Sequence, residues 1–203
     1  MTPYVSQTIE SNRCGAQSIA YYLWETNKSQ LVNDKHFVAE LHKKVQIGPN
    51  DMGYPETCSL PHKMVKVLSD NWHSYANICM LANSPLAPMV KKFNLSTENI
   101  NVLDKVKNGD NKYAIMMATF GQDLRYLHYM LIKYENNTFK LLDSLYHVDY
   151  AAFREHGIFK ISDTINDIDH VVWENFIPEA NWKLTIENRD SLYYYIGFGI
   201  VIE

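Results

Sequence analysis

The chain has 203 residues, of which 46% are hydrophobic and 21% charged, and its formal net charge is −4. That length suits one domain, since domains run to roughly 100–200 residues, and the near-average composition excludes wholesale disorder and fibrous folds. With no Lys/Arg run longer than Lys43-Lys44 and Lys91-Lys92, a surface that tracks phosphates is excluded and no nucleic-acid partner is expected.

The opening "MTPYVSQTIESNR" lacks a basic region followed by an apolar run, and nowhere do about 18 apolar residues stand together. Neither a signal peptide nor a membrane span is read, so the expected location is the cytoplasm, or outside the cell by secretion without a cleavable signal. Cys14, Cys58 and Cys79 are odd in number, which argues against a disulfide framework and leaves at least one thiol free. No repeat, low-complexity tract or long linker divides the chain, so residues 1–203 are read as one domain.

In chain order, Ile19, Tyr22, Leu23 and Trp24, with Ala16 and Ala20 a turn apart, predict a helix over residues 14–26 with Asn12 as its N-cap. Phe37, Val38, Leu41 and Val45 predict a second helix over about residues 33–46, ended by "GPND". Pro61 suits a helix first turn, and Met64, Val65, Val67 and Leu68 carry a third helix to about Asp70. "YANICML" and "KYAIMMATF" then read as buried strands, with a short helix between them near residues 96–107.

"LHYMLIKYENNTFKLLDS" is two apolar runs around Asn136-Asn137, residues that tolerate the positive φ of a tight hairpin turn. The C-terminal "SLYYYIGFGIVIE" reads as a further strand in which Gly197 and Gly199 mark a bulge or a close approach. Its aromatic cluster is read as sheet packing, not as a ligand surface. Helices first and antiparallel strands after make the fold class α+β.

Cys14 stands at the start of the first predicted helix, where unpaired N–H groups and the macrodipole stabilise a thiolate. Gly15 lets backbone and substrate approach closely, and the amide of Gln7 is a candidate donor to an oxyanion. A thiol nucleophile also needs a base and an orienting partner for it. With a two-residue turn, Glu135 pairs with Thr138 and His128 falls opposite Leu145. Strand alternation then puts Asp143 diagonally on the same face as His128. A three-residue loop would put them on opposite faces.

The pieces "Q-x6-C-G-A" at Gln7, Cys14, Gly15 and Ala16, "HYMLIKY" led by His128, and "KLLDS" around Asp143 resemble the papain-like cysteine peptidases, in particular the double-glycine leader peptidase-like group. The resemblance spans roughly residues 1–150. It departs from the common family pattern in having Arg13 before the cysteine, Ala16 where proline is frequent, and Ser144 after the acid. It implies a papain-like fold, N-terminal helices against an antiparallel β-sheet, with Cys14 as nucleophile, His128 as base, Asp143 as orienter and Gln7 in the oxyanion hole. The implied activity is a cysteine peptidase acting on a protein or peptide through an acyl-enzyme, without metal or other cofactor.

The same constellation serves a glutamine deamidase or an acyl transferase, and a papain-like domain can also be an inactive binding module. The plainer readings are that Cys14 fills the core, that His128 is a strand-end histidine satisfied by backbone, and that Asp143 is a strand-end carboxylate. Asp149 or Asp123 are alternatives to Asp143, and His147 to His128. Cys58, His62, His73 and Cys79 match no common zinc spacing, so Cys58 reads as a loop thiol and Cys79 as a buried strand residue.

Overall fold

The computed structural model describes residues 12–48, 58–110, 112–120, 127–142, 144, 158–160 and 193–203. Three helices come first: α1 (Cys14–Glu25), α2 (Lys35–Val45) and α3 (Pro61–Trp72). Every residue of α1 from Cys14 to Leu23 is buried, so this helix is enclosed on all sides. Its N-cap position is held by Arg13, without a side-chain cap bond, and not by Asn12 as expected. Asn12 instead takes φ 48°, a left-handed turn that asparagine tolerates better than most residues.

Helix α2 begins where Asp34 accepts from the amides of His36 and Phe37 at 2.8 and 3.2 Å. It buries Val38, Leu41, His42 and Val45, the stripe that 3–4 spacing dictates. Helix α3 has Pro61 in its first turn, buries Met64, Val67 and Leu68, and ends at His73 in the left-handed conformation.

After β1 (Ala76–Met80) come two short helices, α4 (Ala87–Lys92) and α5 (Val102–Asn108), where one was expected over residues 96–107. The Asn101 side chain accepts from the Leu103 amide at 2.9 Å and so starts α5 six residues late. The segment ahead of it is extended: the Glu98 amide reaches the Ile78 carbonyl, and the Met80 amide the Glu98 carbonyl, both at 2.9 Å.

The strands β2 (Tyr113–Phe120), β3 (Leu127–Glu135), β4 (Thr138–Leu142), β5 (Ile158–Lys160) and β6 (Tyr193–Ile202) complete an antiparallel six-stranded sheet in the order β1-β6-β2-β3-β4-β5. The α+β class is therefore as expected, with β5 and α4 additional. Asn136 and Asn137 take φ 53° and 58° and close a two-residue hairpin in which Glu135 pairs with Thr138. Both glycine expectations hold. The β2–β6 register shifts opposite the Gly197 region, with Gly197 at φ 65°, and a Cβ on Gly199 would stand 2.8 Å from the Ile115 carbonyl oxygen.

The helices cover both faces of the sheet. On one face α1 brings Tyr22 edge-on to Tyr113, with centroids 5.7 Å apart, and Glu25 to 2.6 Å from Lys133. Tyr113 and Lys133 are register partners, and Tyr129 lies on the same face four residues along β3. The other face carries Cys79, Gly199, Met116 and Met130, also paired in register, and α5 covers it at Gly199 through Val102. No helix among the described residues is long and apolar enough to cross a membrane.

Candidate functional site

Cys14 is the first residue of α1 and is 8% exposed. The first intrahelical bond runs from the Gln17 amide to the Arg13 carbonyl at 2.8 Å, so the amides of Cys14, Gly15 and Ala16 have no intrahelical acceptor. These groups and the macrodipole put the positive end of the helix beside the sulfur.

The segment ahead of α3 is pressed against this helix start. The Ile47 amide donates to the Cys58 carbonyl at 2.7 Å and the Leu60 amide to the Val45 carbonyl at 2.8 Å, pinning residues 58–60 to the end of α2. Ser59 then meets Gly15 so closely that a Cβ on the glycine would stand 2.5 Å from both Cβ and Oγ of the serine. Gly15 is glycine here because of that approach. The Ser59 hydroxyl is buried and has no hydrogen-bond partner among the described residues.

From the sheet side, the fully buried Tyr129 hydroxyl lies 3.5 Å from the Ser59 carbonyl oxygen. Burial, followed by the neighbouring Cys14 and Cys58 thiols, holds its pKa well above the usual phenol value, so it is protonated and can donate. Burial, followed by Cys14, also pushes the Cys58 thiol up. His42, on the inner stripe of α2, is buried, and its Nδ1 has no partner among the described residues. Burial first and the Arg13 guanidinium second hold its pKa below the ordinary histidine value.

Of the four residues singled out in the sequence, Cys14 and His128 are described; Gln7 and Asp143 lie outside the described residues, as do Asp123, His147 and Asp149. His128 is buried in β3, opposite Ala118, within an unbroken β2–β3 register. Alternation sends the Cβ of His128 to the face of Met130 and α5, while the next residue, Tyr129, enters the α1 face beside Cys14.

Cys58, His62, His73 and Cys79 form no metal-ligand cluster among the described residues. Cys58 precedes α3, His62 sits in α3 with its ring 5.9 Å from that of Phe93, His73 caps the helix and Cys79 is in β1. Cys79 is fully buried, and burial raises its thiol to about 11.

The residues that sequence reasoning missed are His42, Ser59 and Tyr129. His42 had a signal in its place on the buried stripe of α2. Ser59 and Tyr129 reach the start of α1 only through the packing of α1 on α3 and the sheet, and carry no local signature. No protein-family model and no curated protein matches the chain.

Proposed function

We propose that the chain is a papain-like thiol hydrolase of amide bonds, a cysteine peptidase in which Cys14 is the nucleophile, His128 the base, Asp143 its orienter and Gln7 an oxyanion donor. The observation that carries this reading is a cysteine at the first position of a 12-residue helix, with the first-turn amides lacking intrahelical acceptors. The two-residue hairpin, in which Glu135 pairs with Thr138 as the diagonal placing of Asp143 on the His128 face assumes, adds support.

In the reaction, His128 takes the Cys14 proton, a role that requires its ring to reach round the start of β3 to the α1 face, and the thiolate adds to the scissile carbonyl. The C–N bond then breaks as the amine leaves with that proton, and water hydrolyses the thioester. Loss of ammonia from a glutamine side chain would make the same site a deamidase, and an amine acceptor would make it a transferase.

A papain-like binding module is the second reading. It is favoured by the burial of Cys14 and by the departure of His128 from β3 on the α5 side. Iodoacetamide labelling at about pH 6 separates the two. An ordinary thiol is then well under about 1% ionised, so a catalytic Cys14 should label at least about tenfold faster than free glutathione. His128→Ala should remove that excess. A Cys14 rate no higher than that of free glutathione, unchanged in His128→Ala, would leave the binding module. The same measurement on His42→Ala asks whether an imidazole on the α1 side acts as the base instead.

A further inference from the structure

The Ser59 hydroxyl is an anomaly in a well-packed core. Ser59 is 7% exposed and its Oγ has no partner among the described residues, although most buried hydroxyls are hydrogen-bonded. It lies at the start of α1, against Gly15, where the Cys14, Gly15 and Ala16 amides also lack intrahelical acceptors. A buried donor without an acceptor among the described residues, beside a helix start whose first amides have no intrahelical acceptor, suits a place where an anionic oxygen is received. Its backbone is held on both sides, by the Gln46–Ser59 bridge and by the nearby Tyr129 hydroxyl, so the donor is preorganised.

We propose that the Ser59 hydroxyl is a catalytic hydrogen-bond donor that, with the Cys14 amide, holds the oxyanion formed when the Cys14 thiolate adds to a carbonyl. This rests on the reading of Cys14 as nucleophile. As the S–C bond forms, the C=O π pair moves onto oxygen, and Ser59 donates its O–H to that oxygen without losing the proton. When the oxyanion collapses, the C–N bond breaks and the hydrogen bond is released. The requirement falls only on carbonyl addition, because displacement at a saturated carbon creates no oxyanion.

Two probes therefore separate this role from a structural one. p-Nitrophenyl acetate acylates Cys14 through a tetrahedral oxyanion and releases p-nitrophenolate; iodoacetamide alkylates the same sulfur by displacement. Peptide mass mapping confirms the site of each reaction. In Ser59→Ala, acylation of Cys14 should fall by about 10- to 100-fold, with alkylation unchanged within about twofold. Ser59→Cys, which keeps the shape but offers a weaker donor, should fall between. Equal acylation of wild type and Ser59→Ala overturns the inference while leaving the nucleophile reading intact. A parallel loss of both reactions overturns it in favour of a packing role. If wild-type Cys14 is not acylated at all, the nucleophile reading fails and this inference with it.

Discussion

Gly15 shows how narrowly the start of α1 is built. Alanine is the better helix former by about 1 kcal/mol, yet a Cβ here would stand 2.5 Å from Ser59 Cβ and Oγ and 3.1 Å from Met64 Sδ. Ser59 Cβ is not the far end of a flexible side chain, so the helix start or residues 58–60 must move. Overpacking of this kind costs about 1–3 kcal/mol. Gly15→Ala is therefore expected to lose about 1–2 kcal/mol in denaturant unfolding, and most of that loss should vanish in a Ser59→Gly background. An additive double mutant would show that the contact is not what excludes a side chain. The sequence reading had the glycine beside the thiol for substrate approach; what occupies that space is Ser59, over forty residues away.

At the scale of elements, the β3–β4 hairpin was the most legible part of the chain, because two asparagines between apolar runs specify a tight turn by themselves. Both are left-handed, at φ 53° and 58°, where asparagine is tolerated and glycine has no Cβ penalty. Asn137→Gly should stabilise the fold by about 0.5 kcal/mol and Asn137→Val should destabilise it by about 1 kcal/mol or more, read from urea midpoints. If both variants unfold at the wild-type midpoint, the turn conformation is not limiting. The helix expected over residues 96–107 is present only from its middle on, as α5, for a reason of the same scale. The Asn101 cap and the two backbone bonds of Glu98 to β1 start the helix only at Val102.

For the molecule as a whole, the buried His42 links folding to pH. Its pKa lies below the ordinary value of about 6.5 because burial, and then Arg13, disfavour the imidazolium. The unfolded chain therefore takes up a proton at a higher pH than the folded one. The stability tied to the neutral imidazole is present above about pH 6.5 and is lost progressively as pH falls below it. The wild-type melting temperature should drop more between pH 7.5 and 5.5 than that of His42→Gln. If the two fall in parallel, His42 is not the linked group. Cys79 belongs to the same interior: with its thiol at about 11 and its side chain enclosed, alkylation at neutral pH should report unfolding and not native reactivity.

Periodicity and turn chemistry alone were enough for the three N-terminal helices, most of the strands, the hairpin turn and the cysteine at a helix start, because each depends on residues within one or two turns of one another. Cys14, His128, Asp143 and Gln7 were chosen from spacing and order. Only tertiary structure decided that β6 lies between β1 and β2, that helices cover both faces of the sheet, and that Ser59, Tyr129 and His42 surround the start of α1. The physical reason is that strand order and the neighbours of a buried thiol follow from how apolar faces pack across long stretches of chain. A local pattern names which face is apolar, and the packed sheet decides what that face meets.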